Sequence, residues 1–512
     1  MTDPLGALRA RLAPIADLAH AAAVLDWDQE TYMPPGGAEA RARQTGTLRR
    51  VAHEHLTADE TGRLLDDAAP ETDLDRALVA VTRRDRERAL CLPSRLVVEK
   101  TEASGAAKEA WKAARETDTF DLFAPHLARL VDLAIEEADL VRPLLARQRG
   151  TGYAPSAADA RYDALLDLYE PGASTTEVAH VFAGLRDGLV PLVAAIAERP
   201  APDTAFLHAP YDADQQWAFG LDVARSMGYS LAHGRQDRSA HPFTTSFSAQ
   251  DVRITTRIDP DFFPTAFFGT VHEVGHALYE QGLASELDRT PLADGTSLGM
   301  HESQSRLWEN LVARSPAFWQ RWFPDLQTRF PTALAGVTAD AFTAAVNRVE
   351  PSLIRVEADE LTYHLHVLLR FEIERELIAG TLAAADVPHA WNARMQAFLG
   401  VTPPSDADGC LQDVHWSLGA LGYFPTYTLG TLMSVQLWEA MRRDLGDPDA
   451  LVASGDLLAI LAWLREHVHR WGRAKTAGQI LRDATGADLD AGPWLAYARA
   501  KYGALYGLDR SR

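Results

Sequence analysis

The sequence predicts a mainly α protein with one small antiparallel β-sheet inserted near its middle. Three observations lead there. Apolar residues recur at three- and four-residue intervals over most of the chain. Ala, Leu, Arg and Glu, which are strong helix formers, dominate those stretches. The texture then changes at residue 241, where Thr, Ser, Phe, Ile and Val take over up to about residue 260.

Taken in order, "DPLGALRARLAPIADLAHAAAVLDW" opens a helical region that covers roughly residues 1–80, with "YMPPGG" as a natural bend. "FAPHLARLVDLAIEEADLVRPLLARQR" continues the same periodicity. "YEPGAST" and "ERPAPDTAF" interrupt it as turns, and "STTEVAHVFAGL" restarts it with an N-cap run. Alternation in "DVRITTRI" predicts two short strands, 242–248 and 251–258, within a sheet spanning 241–260. Helical periodicity returns at 264 and persists nearly to the end. No repeat period emerges and no linker is long enough to separate independent domains, so residues 1–512 are expected to form one unit.

Composition narrows the function classes. With 47% hydrophobic residues the chain can build large cores. Its 71 acidic residues outnumber 50 basic ones, giving a net charge of -21. Such a surface repels nucleic acid and anionic membranes, so neither is expected as a partner. Cys91 and Cys410 lie far apart and suggest neither a disulfide framework nor a cysteine metal site. The N-terminus lacks a basic start followed by an apolar run, and no eighteen consecutive apolar residues occur. A cytoplasmic location is expected.

The chemistry starts in "VHEVGHALYE". His272 and His276, at i and i+4, share one helical face and can reach one ion. Glu273 is offset around the helix and can take a proton from a water that the metal acidifies. Two histidines on an ordinary helix surface are the bland alternative. A catalytic zinc usually takes three protein ligands, and no third histidine follows shortly after Gly282. The next candidates are in "SLGMHESQSRLWENL", residues 297–311. Glu302, near the start of a second helix in the 264–312 region, is the expected third ligand, with His301 as its rival. As a purely structural residue, Glu302 would be a helix N-terminal carboxylate favoured by the dipole.

Several separated motifs then coincide. His241-Pro242-Phe243, Asp251/Arg253/Thr255 in "DVRIT", "HEVGH", His301-Glu302-Ser303-Gln304, "IRVEAD" from Ile354, and "GCLQDVHW" from Gly409 follow one another in order. Together with "LDWDQETYMPPGG" near the start, they resemble the thermostable metallocarboxypeptidases of the carboxypeptidase Taq family over nearly the whole chain. That resemblance implies a two-lobed helical metallopeptidase with a deep groove and the metal at its floor, similar to angiotensin-converting enzyme and neurolysin, and commonly a homodimer. It implies metal-dependent removal of single C-terminal residues from peptides, with broad specificity and usually no action after proline.

Further roles follow from the resemblance and from the reaction. The tetrahedral intermediate needs donors for its oxyanion, and His415, Tyr423 and Tyr427 are the candidates; aromatic core packing is the alternative for "HWSLGALGYFPTY". A free C-terminal carboxylate is best bound by an arginine fork. Arg355 is the first choice, with a structural pair to Glu357 or Asp359 as its alternative. Arg253 is the second choice, with a sheet-fixing pair to Asp251 as its alternative. His241 either lines the primed side or is a core histidine. His364 and His366, at i and i+2, point to different helix faces and are read as structural. Residues 1–80 form a candidate lid. The metal is expected to be zinc, with cobalt as the other ion such a site takes. An oligopeptidase that cuts internally, and an inactive metal- or peptide-binding relative, are the competing functions.

Overall fold

The computed structural model describes residues 3–508. It contains twenty α-helices and one three-stranded sheet among those residues. The chain divides into two compact units. One comprises Met1–Ala89, Pro202–Val346 and Met433–Asp488; the other comprises Leu90–Ala201, Asn347–Leu432 and Leu489–Arg512. Each is assembled from three non-contiguous stretches, so no linker marks the division.

The first unit holds the sheet and the helix that carries "HEVGH", Phe263–Glu280. This helix is mostly buried because its N-terminal half is aromatic: Phe263 and Phe267 stack at 5.4 Å, and Phe219, Phe318 and Trp319 pack around them. The N-terminal helix Pro4–Thr31 buries Leu8 and Leu12 against Leu65, Leu78, Leu287 and Leu292. The expected lid region is thus pinned to this unit by an apolar cluster. Its bend falls at "PGG", where a short 3₁₀ turn, Pro35–Gly37, precedes the helix Ala38–Thr57.

The sheet corrects the expectation of an antiparallel pair. Its strands are β1 (Gln236–Arg238), β2 (Thr244–Ser248) and β3 (Asp251–Thr256), in the order β1-β3-β2. β2 runs antiparallel to β3, with Thr244 opposite Ile254 and a bulge between Ser246 and Ser248. β1 runs parallel to β3, so the sheet is mixed. β1 is three polar residues with no alternation to betray it. β2 starts after Pro242, which has no N–H to give to a ladder. The sheet backs the "HEVGH" helix: Thr270 Oγ1 donates to Thr256 Oγ1 at 3.1 Å.

Among its described residues the second unit contains helices and no strand. Its centre is the helix Thr362–Ala379, buried on nearly every side. The helix Thr175–Ala197 starts at the expected cap, where Ser174 Oγ accepts from Glu177 N at 3.2 Å. By length and composition it is apolar enough to cross a membrane. It carries Arg186 and Asp187 midway, and its apolar stripe from Val178 to Ile196 packs into this unit's core. Cys91 and Cys410 form no disulfide.

Candidate active site

The first cluster lies wholly in the first unit. His272 and His276 project from one face of Phe263–Glu280, each about a fifth exposed. Glu302 is buried on the helix Leu298–Arg306, which Ser297 caps by accepting from Met300 N at 3.0 Å. The two helices touch closely because residue 275 is glycine: a Cβ there would lie 2.6 Å from Ser305 Cα and 2.8 Å from Gln304 O. The close approach brings Glu302 Oε2 within 3.6 Å of His272 Nε2 and 3.5 Å of His276 Nε2. One donor atom from each of the three residues fits within 4.8 Å of the others. Tetrahedral zinc with bonds of about 2.0–2.2 Å sets its donors about 3.3 Å apart. Two imidazoles and one carboxylate at these spacings therefore fit a divalent metal.

Each imidazole is turned by a partner on its other nitrogen. His272 Nδ1 meets Glu309 Oε2 at 3.0 Å. Glu309 sits on a π-helical turn, Leu307–Ala313, and receives Arg306 Nη1 and Arg314 Nη2, both at 3.1 Å. Arg306 Nε also donates to Glu302 Oε1 at 2.6 Å. Burial pushes Glu302 upward, but Arg306 and the two histidines outweigh it and hold its carboxyl well below the usual range. Glu309 is held low in the same way, burial being overcome by Arg306, His272 and Arg314. Burial pushes His276 down to about 3. Burial also opposes charge on His272, yet Glu302 and Glu309 win and raise it. Arg306 and Glu309 were not singled out from sequence. The signal was there: Glu302, Arg306 and Glu309 at i, i+4 and i+7 form one stripe.

Three further residues that the sequence singled out lie in this unit. His301 does not join the donor trio; its Nδ1 lies 2.6 Å from His276 Nδ1, the nitrogen turned away from Glu302. Arg253 gives one edge of its guanidinium to a neighbour on its own strand. Its Nε and Nη2 donate to the two Asp251 oxygens at 2.9 and 2.8 Å, and its guanidinium lies 4.5 Å from the Trp27 ring. It fixes the sheet. His241 is exposed, so the core-histidine alternative fails; its carbonyl accepts from Ser239 Oγ at 2.6 Å.

Glu273 is buried beside the trio. Thr244 Oγ1 lies 2.7 Å from Glu273 Oε2 and 2.8 Å from the Glu273 carbonyl, tying the carboxylate to β2. Burial raises its proton affinity, which His272 and the Thr244 hydrogen bond only partly offset.

The second cluster lies wholly in the other unit. His415, Tyr423 and Tyr427 come together: Tyr427 Oη is 3.4 Å from His415 Nε2, and the His415 and Tyr423 rings are 5.2 Å apart. Burial pushes His415 down to about 4. Arg355 lies beneath them, 4% exposed, and its fork is occupied. Nη2 and Nε donate to Asp413 Oδ1 at 2.6 and 3.1 Å, and Nη1 donates to Tyr363 Oη at 2.8 Å. The fork expected to clamp a carboxylate is held by Asp413 in this structure, neither by Glu357 nor by Asp359. Asp413 also receives Arg370 Nε at 2.7 Å, and Gln412 Oε1 accepts from both Arg355 N and Arg370 Nη2 at 2.8 Å. His364 and His366 are buried; His364 Nδ1 is 3.0 Å from Thr428 Oγ1.

The carboxypeptidase Taq (M32) metallopeptidase family model matches residues 7–502. Thermostable carboxypeptidase 1 of Thermus thermophilus is 44% identical over 96% of this chain and 97% of its own length. Carboxypeptidase 1 of Bacillus subtilis is 37% identical over 97% of each. The crystal structure of an M32 carboxypeptidase from Deinococcus radiodurans R1 superposes with a TM-score of 0.94 at 42% identity, covering 99% of this chain and 100% of that one. With a donor trio, a buried glutamate beside it and this likeness along its whole length, the chain belongs to the carboxypeptidase Taq (M32) metallopeptidase family and is a metal-dependent carboxypeptidase.

Proposed function

We propose that His272, His276 and Glu302 hold the metal, that the ion is zinc, and that Glu273 moves the proton during peptide hydrolysis. The convergence of two imidazole nitrogens and one carboxylate oxygen around one point carries the reading. Zinc suits that donor set, and cobalt is the other ion to expect. A divalent metal there supplies Lewis-acid polarisation of the scissile carbonyl and acidifies the attacking water. Glu273 adjoins His272 on the same helix, and burial makes its carboxylate a stronger base than an exposed one. It takes the water's proton and delivers it to the leaving amine. Thr244 holds it in place for both transfers.

For the oxyanion donors the family resemblance points to His415, Tyr423 and Tyr427, three half-buried side chains that approach one another. Arg355 and Asp413 act on that cluster from below, fixing the segment that carries His415. Peptides are the substrates, and the relatives' names place the cut at the C-terminal residue. A homodimer is proposed from the family resemblance, and a cytoplasmic location from two cysteines that form no disulfide and from the acidic surface.

Glu273→Gln tests the mechanism. The variant should bind metal at wild-type stoichiometry while kcat falls by roughly 10²–10⁴-fold. Full activity in Glu273→Gln would sink the proposal. Direction of attack is read on paired peptides: the free acid is trimmed stepwise, and the C-terminal amide resists. Equal cleavage of both would favour an internal cutter.

A further inference from the structure

His301 has both ring nitrogens committed, and neither is one of the three converging donor atoms. Nδ1 lies 2.6 Å from His276 Nδ1, and Nε2 lies 2.9 Å from Glu280 Oε1. The ring is confined as well. Tyr279 packs against it at 5.1 Å, and Gly295 leaves it room: a Cβ at residue 295 would lie 2.5 Å from His301 Cδ2. Glu280 is 4% exposed and lies one turn beyond His276 on the same helix.

The proton positions then follow from one requirement. If His276 offers the lone pair of Nε2 to a metal, its only ring proton is on Nδ1. That proton can be donated only if His301 Nδ1 accepts. His301 then carries its own proton on Nε2, which Glu280 Oε1 accepts. Every link runs in one direction, from His276 through His301 to Glu280. We infer that His301 and Glu280 form an outer chain of positioning residues that fixes the tautomer and ring angle of His276 for metal binding. Resting on the proposed ligand set, this gives the second residue of the HESQ segment's His-Glu pair a metal ligand's place and the first a place behind another ligand. It also explains why a histidine adjoining Glu302 is not itself drawn to the trio. Partners of this kind typically contribute ten- to a hundredfold in metal affinity.

The test measures zinc affinity by chelator competition on the full chain, and counts imidazole ligands by X-ray absorption on the zinc-loaded protein. His301→Leu removes the acceptor. His301→Asn places a carbonyl oxygen near the position of Nδ1 and keeps the acceptor while losing the link to Glu280. His301→Leu should bind zinc ten- to a hundredfold more weakly, and His301→Asn should recover most of the loss. Two imidazoles should be counted in wild type and in both variants. Wild-type affinity in His301→Leu, equal loss in both variants, or an imidazole lost on substituting His301 would each overturn the inference. If His301→Leu does not fold, His301→Asn against Glu280→Leu decides: loss in neither overturns the chain. His276→Ala separates this outcome from failure of the ligand set. Undiminished zinc binding in His276→Ala removes the ligand assignment itself, whereas undiminished binding confined to the His301 variants removes only the outer chain.

Discussion

Asp413 carries more of the local charge balance than any one neighbour suggests. Two guanidinium groups, Arg355 and the fully buried Arg370, close on its carboxylate, and burial pushes Arg370 down to about 10 despite that partner. Burial alone would raise Asp413, yet the two arginines hold it well below the usual range. Asp413→Asn would leave both cations inside with no anion. Breaking a buried pair in this way costs about 3–5 kcal/mol. Urea unfolding should show a lower midpoint with an unchanged m-value; a midpoint within error of wild type would refute the balance described. The pair was not legible in the sequence because Arg355 and Asp413 are 58 residues apart. Sequence reasoning looked to nearby acids, but Asp359 is engaged locally, accepting from Leu361 N and Thr362 N at 2.9 and 3.0 Å. The metal trio was more legible because two of its three members are local: i and i+4 on a helix fixes two imidazoles on one face before any tertiary structure is known.

Elements bring these residues together through two devices that were not singled out from sequence. The first is Gly275, inside "HEVGH" itself. Gly275→Ala forces a methyl group against the backbone of Gln304 and Ser305, which cannot rotate away as a side chain would. The helices Phe263–Glu280 and Leu298–Arg306 must separate, at a cost of about 1–3 kcal/mol. Glu302 moves with the second helix, so zinc affinity measured by chelator competition should fall at least tenfold, on the scale of a lost supporting contact. Unchanged affinity would mean the interval between the helices is not set by this contact. The second device is Glu374. Its carboxylate receives Trp416 Nε1 at 2.8 Å, Tyr162 Oη at 2.7 Å and Gly422 N at 2.9 Å, fastening the His415 segment to the helix Thr362–Ala379. Burial pushes Glu374 from 4.5 up to about 7 although all three donors favour the anion. The folded protein therefore holds this proton more tightly than the unfolded chain. The resulting stability is fully present below about 4.5 and declines as pH rises to about 7, by about 3 kcal/mol. Denaturant unfolding at pH 5 and pH 8 should show a smaller difference in Glu374→Gln, which has no proton to lose. An identical pH difference in variant and wild type would remove Glu374 as its source. β1 shows the limit at this scale: three polar residues join the sheet because β3 offers them an edge, and nothing in "QDR" announces it.

The whole molecule separates chemistry by unit. His272, Glu273, His276 and Glu302 all belong to the unit that contains Pro202–Val346, whereas Arg355, Asp413, His415, Tyr423 and Tyr427 belong to the unit that contains Asn347–Leu432. Helical class and the motif order were legible along the chain because both are local properties. The division was not, because each unit is stitched from three stretches and its boundaries are set by packing, with no change of composition to mark them. One prediction follows from the separation. A ligand that binds only the folded state stabilises it by RT ln(1 + [L]/Kd), about 4 kcal/mol at a thousandfold excess over Kd. Every proposed metal donor lies in one unit, so the metal's contribution to local opening should be concentrated there. Hydrogen exchange before and after chelation should show the helices Phe263–Glu280 and Leu298–Arg306 losing protection by up to that amount. The helix Thr362–Ala379, buried in the other unit without any proposed ligand, should keep most of its own. Equal loss in all three helices would show that the two units open as one and that metal binding stabilises the molecule globally. Loss in neither metal-unit helix would count against the donor trio as the place where the ion is held.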